Sequence, residues 1–398
     1  MNRHATVGAG AEEGGGQLNT ISIEGREAMA AEARRPRARG HRSGALSGPP
    51  ALVVTIALVM LAVPTTAAAD EPFAGPLFGL GTDTDGNVVV ADAGRGVARA
   101  DGTLIAELPG VTDVAASDQG WLWAITGLGA PNEQRLFKVS MDGTVTEFAD
   151  LGAYETKHNP HPAEVDSNPF SVIDLGGGEA AVADAGGNTL LAVNKHGKVK
   201  LVAVLPDELV PTDNAKAIIE EIAGNLLGQE VSCDEGLPAE APPEAHEICE
   251  LPDMIPAEPV ATSVAIGPDG DFYVGELKGF PAPLGRSRVW RISSNARNAH
   301  CGHSPLCSVA YDGFTSIVDL SFGTDGTLYV AEMDEKSWFV VELSLFAGLP
   351  VDLGLGTIDA CDGACSVEVG GIPMLSAITV DGAGDLWHAE LPGVVTSP

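Results

Sequence analysis

The chain has 398 residues, with 22 Lys and Arg against 55 Asp and Glu, a formal net charge of −33 and six cysteines. That charge repels phosphate, so a protein that grips DNA or RNA by neutralising its backbone is excluded. At 44% hydrophobic residues the chain has material for a large core and is no disordered acidic tail; its length allows two domains or one large all-β domain.

The first seventy residues stand apart. Arg34, Arg35, Arg37, Arg39 and Arg42 precede an apolar run from Ala51 to Val63, and small residues follow down to Ala67-Ala68-Ala69-Asp70. A basic region, about thirteen apolar residues and an Ala-x-Ala end predict a secretory signal cleaved near Ala69, the run being short for a membrane span. Residues 1–69 are thus read as leader, and residues 70–398 as an exported body without stable membrane insertion after cleavage. An uncleaved amino-terminal anchor is the alternative. The leader holds 7 basic and 5 acidic residues, so the body carries 15 basic against 50 acidic residues, a net charge of −35. Cys233, Cys249, Cys301, Cys307, Cys361 and Cys365 all lie in the body. An even count in an exported chain reads as disulfides, and the pairing expected is local in sequence: 233 with 249, 301 with 307, and 361 with 365, each bracketing a loop between strands.

The body repeats. Short apolar runs follow tight turns, commonly Asp-Gly: Asn87 to Ala91 after Asp85-Gly86, Asp271 to Gly275 after Asp269-Gly270, Thr327 to Ala331 after Asp325-Gly326. Asp-Gly between β-rich runs is a hairpin signal, because both residues tolerate the positive φ such turns demand. Six turns align on Gly86, Gly120, Gly178, Gly270, Gly326 and Gly384; six residues beyond each stand Asp92, Thr126, Asp184, Glu276, Glu332 and Glu390. The runs between are apolar on both faces, as in strands covered on both sides. Six units of four short strands, none able to bury both faces alone, predict an all-β fold: a six-bladed β-propeller of four-stranded antiparallel blades. The longest interruption, residues 206–259, is Pro-rich and acidic. It is read as an inter-blade insertion with a helix capped by Asp213, its apolar residues Ile218, Ile219, Ile222, Leu226 and Leu227 on one face and packed on the propeller rim. The last unit reads as short of strands.

Topology assigns these positions to faces. The acidic residues end second strands, so they lie on the face that also carries the inter-blade loops. There they either converge on the axis to hold a hard cation, Ca2+ or another divalent ion, or accept backbone N–H bonds in the loops that follow their strands. Asp83-x-Asp85-Gly86 resembles the start of a calcium loop but lacks the closing Glu and is read as a plain turn. His158-Asn159-Pro160-His161 with Glu164, Asp166, Ser167 and Asn168 is the most asymmetric polar segment, suited to a transition metal, to acid–base work, or to nothing more than a solvated loop. His300-Cys301-Gly302-His303 with Cys307 reads as a small disulfide loop before a zinc site. No local catalytic motif appears.

Val182-Ala183-Asp184-Ala185-Gly186-Gly187-Asn188-Thr189-Leu190-Leu191 resembles an NHL-type propeller repeat. Asp166-Ser167-Asn168-Pro169-Phe170, Val264 to Gly270, Gly275-Glu276-Leu277-x-Gly279-Phe280-Pro281-x-Pro283 and Arg288-Val289-Trp290-Arg291 resemble the ScyD/ScyE family of exported bacterial proteins. The resemblance spans about residues 77–390 and implies a six-bladed propeller with an export signal; it brings no catalytic residue with it. Together these readings predict a secreted, monomeric binding propeller without chemistry of its own, whose loop-rich face takes a small molecule, a glycan or a protein. Two alternatives stand beside it: a divalent-metal-dependent enzyme of the gluconolactonase or streptogramin-lyase kind with the ion at the axis, drawing on Asn168, Asp184, Glu276, Glu332 and Glu390, and a cell-surface protein-interaction module.

Overall fold

The computed structural model describes residues 72–397 apart from 128, 130–132, 163–164 and 346; the apolar leader run, the cleavage position and Glu164 lie outside the described residues. Blade 1 comprises β1 (Leu77–Thr82), β2 (Val88–Asp92), β3 (Gly96–Arg99) and β4 (Leu104–Glu107). Blade 2 comprises β5 (Val111–Ala116), β6 (Leu122–Thr126), β7 (Arg135–Val139) and β8 (Val145–Asp150), followed by helix α1 (Leu151–His158). Blade 3 comprises β9 (Pro169–Gly176), β10 (Glu179–Asp184), β11 (Thr189–Val193) and β12 (Val199–Val204). The insertion forms a hairpin of β13 (Glu208–Pro211) and β14 (Met254–Ala257) around α2 (Asp213–Leu227) and α3 (Pro243–Cys249). Blade 4 comprises β15 (Ala261–Ile266), β16 (Phe272–Glu276), β17 (Ser287–Ile292) and β19 (Cys307–Phe314), with the short β18 (Ala299–His300) between the last two. Blade 5 comprises β20 (Ile317–Phe322), β21 (Leu328–Glu332), β22 (Gly356–Asp362) and β23 (Ala364–Ile372), with α4 (Trp338–Leu345) between its second and third strands. Blade 6 has three strands: β24 (Leu375–Val380), β25 (Leu386–Glu390) and β26 (Val394–Thr396).

The fold is the expected six-bladed, all-β propeller. All six aligned glycines take positive φ, between 78° and 93°, which is why Gly stands at each first turn. The first strands neighbour one another in a closed ring, β1–β5–β9–β15–β20–β24 and back to β1, and separate apolar clusters fill the gaps between blades. In each blade the pairing of first and second strands slips by one residue near the start of the first strand, a bulge that turns the strand at the loop-rich mouth of the axis.

One step beyond the bulge, six residues sit opposite a small or apolar partner in the same register: Gly79, Asp113, Ser171, Ser263, Asp319 and Ala377. Four of them clasp the next blade. Val172 N donates to Asp113 Oδ2 at 2.8 Å, Val264 N to Ser171 Oγ at 3.2 Å, Leu320 N to Ser263 Oγ at 2.9 Å, and Ile378 N to Asp319 Oδ2 at 2.8 Å. Ser263 Oγ also donates to Asp319 Oδ1 at 2.9 Å. Blade 1 replaces the clasp by closeness: a Cβ on Gly79 would lie 2.5 Å from Asp113 Oδ1, so only glycine fits. Ala377 of blade 6 carries no group that could clasp blade 1.

Three differences from the sequence reading concern the insertion and the loops. Thr212 occupies the cap position of α2 and Asp213 is its first residue; the Thr212 hydroxyl donates instead to Pro252 O at 2.8 Å and ties the hairpin ends together. Helix α2 buries Ile218, Ile219 and Ile222 while leaving Leu226 exposed, and it belongs to the same apolar cluster as Phe78, Phe170 and Val318 of the first strands, so it lies over the loop-rich face rather than on the outer rim. Its side chains reach blades 4 and 5: Asn214 Nδ2 donates to Ala282 O at 2.6 Å and to Ser337 Oγ at 3.1 Å, and Lys336 Nζ pairs with Glu221 Oε2 at 3.2 Å. All three disulfides join the sequence-local pairs. Cys233–Cys249, however, links the stretch after α2 to the end of α3 instead of bracketing two strands. Cys301–Cys307 closes a loop whose β18 crosses to pair in parallel with β12 of blade 3.

The clasps predict a stability series. Ser263→Ala loses a donor to Asp319 and an acceptor for Leu320 N, and should destabilise by about 2 kcal/mol at roughly 1 kcal/mol per bond. Ala377→Ser restores a clasp at the unclasped seam and should raise Tm by a few degrees. Denaturant melts check both, and an Ala377→Ser variant less stable than the parent contradicts the ring.

Candidate functional site

The second-strand acids are used singly. Asp92 accepts Ala74 N at 2.9 Å and Gly94 N at 3.0 Å and pairs with Arg95 Nε at 2.8 Å. Asp184 accepts Ser167 Oγ and Asn168 N at 2.7 Å and Gly187 N at 3.0 Å. Glu332 takes Thr315 N and, at 3.1 Å, the Thr357 hydroxyl. In each case the carboxylate ties the segment entering a blade's first strand to the end of its second. Glu276 differs: it accepts Trp290 Nε1 at 2.8 Å and pairs with Lys278 Nζ and Arg288 Nε, both at 2.9 Å. Lys278 is itself buried and reaches Glu208 Oε2 at 3.3 Å, and Glu208 also pairs with Arg288 and, at 3.7 Å, with Arg286, so that three basic groups meet two carboxylates around the Gly-Glu-Leu-Lys-Gly segment. Glu390 is half-buried, and burial raises its carboxyl. Among the described residues no group of three or more His, Cys, Asp or Glu is already gathered to hold a metal ion.

The axis is closed on the loop-rich side. Phe78 of blade 1 and Phe170 of blade 3 meet there at 5.8 Å between ring centroids, in one apolar cluster with α2, Leu277, Ala282 and the start of α4. The clasp residues Asp113, buried, and Asp319, half-buried, lie in the first-strand ring. Burial raises both carboxyls, Asp319 to about 7, and the Asp319 charge raises Asp113 further.

Polar demand that is not met locally gathers instead above blade 3. Asp150 caps α1, its Oδ1 accepting Ala153 N at 2.7 Å, and Asn159 ends the helix in the left-handed region with its N–H on Glu155 O at 2.8 Å. Between these caps the helix turns Glu155 inward, 1% exposed, with neither carboxylate oxygen hydrogen-bonded. The Gly186-Gly187 turn makes room for the acids: a Cβ on Gly187 would lie 3.2 Å from Asp184 Cγ and 3.4 Å from Glu155 Oε2, and one on Gly186 would lie 3.0 Å from Asp166 Cγ. Burial, then Asp184 and Asp166, push the Glu155 carboxyl up to about 7, against an opposing pull from His161. His161 is buried, its Nε2 3.0 Å from Asp207 Oδ1 and its Nδ1 without a partner. Glu258, raised chiefly by burial, faces the same imidazole.

Thus His161, Asn168 and Asp184 of the sequence candidates come together, whereas Asp92, Glu276, Glu332 and Glu390 belong to their own blades. His158 points away, exposed and stacked on Tyr154 at 4.5 Å. Glu155, Asp207 and Glu258 were not foreseen. Asp150 as a cap and Lys157 and His158 in a last turn were the available signs of α1, and hence of Glu155. The calcium-like Asp83 segment is a turn, with Asp83 Oδ1 accepting Asp85 N at 3.0 Å and Asn87 N at 2.9 Å.

No family model matches the chain, and no curated protein matches its sequence; the ScyD/ScyE likeness rests on the segments quoted above. Among solved structures the chain is similar to virginiamycin B lyase from Staphylococcus aureus (12% identity, 81% of this chain and 84% of that one, TM-score 0.40). It is also similar to a gluconolactonase from Xanthomonas campestris (12%, 82% and 88%, 0.46) and to the extracellular domain of a hybrid two-component system from Bacteroides thetaiotaomicron (11%, 80% and 32%, 0.41). At this level these likenesses carry no inference about activity. No helix among the described residues is long and apolar enough to cross a membrane.

The raised carboxyls set a pH dependence. Glu155, Asp319, Glu332 and Glu342 each reach about 7 in the fold, whereas in an unfolded chain they titrate near pH 4. Each therefore contributes stability that is complete below about pH 4 and is lost as pH rises through about 7. Tm should fall between pH 5 and pH 8, and Glu155→Gln should make that fall shallower; a melting temperature that rises over this window contradicts the assignment.

Proposed function

We propose that the protein is an exported, monomeric binding propeller of the ScyD/ScyE kind, without chemistry of its own, and that it takes a positively charged ligand on its loop-rich face above blade 3. The observation that carries this reading is Glu155: a buried carboxylate with both oxygens unpartnered, beside Asp184 and Asp166 and opposite an unpartnered His161 Nδ1. A buried charge without compensation is costly, and a cation arriving there supplies what the protein leaves out. The body's net charge adds a long-range pull on such ligands. Export is supported by the leader pattern and by three disulfides, which persist in oxidising compartments. Glu155 would meet the cation, a divalent ion such as Ca2+ or the cationic group of a small molecule, glycan or protein, with Asp166 and Asp184 adding negative charge beside it. The apolar packing over the axis speaks for this off-axis position.

The metal-dependent lactonase or lyase reading keeps one supporting observation, a carboxyl at about 7 next to a buried imidazole, which is the condition for proton exchange near neutrality.

Melting the purified protein after EDTA treatment, then with Ca2+, Mg2+, Mn2+, Zn2+ or a simple primary amine, tests the proposal. A bound cation raises Tm by mass action, and Glu155→Gln should abolish the rise. If no cation moves Tm and the untreated protein contains no metal, the proposal fails.

A further inference from the structure

Basic side chains are scarce in the body, 15 against 50 acidic ones, yet three of them meet where the insertion joins blade 4. Lys278 and Arg286 stand in the loop between β16 and β17, Arg288 lies on β17, and Glu208 opens β13. Glu208 is shared by all three: it pairs with Lys278 Nζ at 3.3 Å, with Arg286 Nη2 at 3.7 Å and most closely with Arg288 Nη2. Glu276 serves Lys278 and Arg288 and also accepts Trp290 Nε1. Three positive charges against two carboxylates leave one positive charge over, in a body whose net charge is −35.

The surplus falls on Arg286. Among the described residues its guanidinium makes no hydrogen bond; its Nε is closed off from solvent without a partner, and Glu208 lies beyond hydrogen-bond distance. Nearby carboxylates do not serve it. Asp207 is taken by His161 Nε2 at 3.0 Å, and Asp312, opposite Arg288 in the strand pair, is exposed and joins no ion pair. The Lys278 side chain is 1% exposed and that of Arg286 41%, so the group with the unmet demand is the one that solvent reaches. A partly buried cation without full compensation is costly, and a planar guanidinium offers paired donors to two oxygens of one anion.

We propose that Arg286, backed by Arg288 and Lys278, is an oxyanion site that takes the carboxylate, phosphate or sulfate group of a small ligand on its outer donors. The bound anion supplies the charge that Glu208, divided among three cations, leaves unmet. The site is separate from that of Glu155 and stands whether or not a cation binds there. Two consecutive residues divide them: Asp207 holds His161, and Glu208 holds the basic group.

Sodium acetate, phosphate and sulfate, titrated separately into the full chain at an ionic strength held constant with chloride, test the site by calorimetry and by Tm. The proposal expects saturable one-to-one binding: acetate alone marks a carboxylate site, phosphate or sulfate a site for tetrahedral oxyanions. Arg286→Gln should weaken that binding by about tenfold or more, and Arg286→Lys, which keeps the charge but not the fork, should restore only part of it. Since the Arg286 side chain is exposed and bonded to nothing, both variants should fold, as an unchanged circular dichroism spectrum checks. Glu208→Gln removes the competing carboxylate and should tighten anion binding even as it lowers the Tm of the anion-free protein. Glu155→Gln should leave anion binding intact, which distinguishes this site from the cation site. Absence of binding by all three anions overturns the proposal, as does equal binding by Arg286→Gln or weaker binding by folded Glu208→Gln.

Discussion

A short side chain on one blade's first strand accepts a backbone N–H from the next blade, and the propeller depends on that contact. A strand in mid-sheet spends its N–H groups on its neighbours, but the first strands line the axis and have a neighbour on one side only. Their inward N–H groups need acceptors. Asp113, Ser171, Ser263 and Asp319 provide them and thereby fix the rotation of each blade against the next. The apolar clusters between blades supply the larger stabilisation, but they are non-directional; the clasps set the register in which those clusters form.

This arrangement decides where polar chemistry can sit. Two carboxylates are consumed inside the ring, and aromatic rings with α2 and α4 seal its loop-rich mouth. Unpartnered polar atoms are thereby found off the axis, at the segment between blades 2 and 3, where α1 swings Glu155 over the diglycine turn. The acids that end the second strands serve a related purpose: Asp92, Asp184 and Glu332 bind the chain as it enters their own blades. Asp184 also stands beside Glu155, because the Gly186-Gly187 turn puts no side chain between them.

The repeat was legible because its signals are local. A glycine at positive φ, a doubly apolar strand and an acid six residues on lie within one unit, and the same is true of three cysteine pairs no more than 16 residues apart. The clasps were not legible, although their residues stand in plain view. Asp113 and Asp319 read as polar interruptions of apolar strands until the neighbouring blade, some 60 residues away, is known to present a free N–H. Glu155 escaped notice for a similar reason: its meaning comes from Asp184 and His161, which the chain reaches only after leaving the helix. The helix α4, apolar apart from Glu342 and Ser344, lacks the periodicity that would distinguish it from a buried strand.

Since the ring has clasps at four of its six seams, its strength should be uneven, and native-state hydrogen exchange read by mass spectrometry measures this directly. The account predicts that amides of β9, β15 and β20 exchange only through global unfolding, whereas β1, β24, β25 and β26 open first as a unit at the seam between blades 6 and 1. Uniform protection around the six first strands, or earliest opening at the Ser263–Leu320 seam, would contradict it.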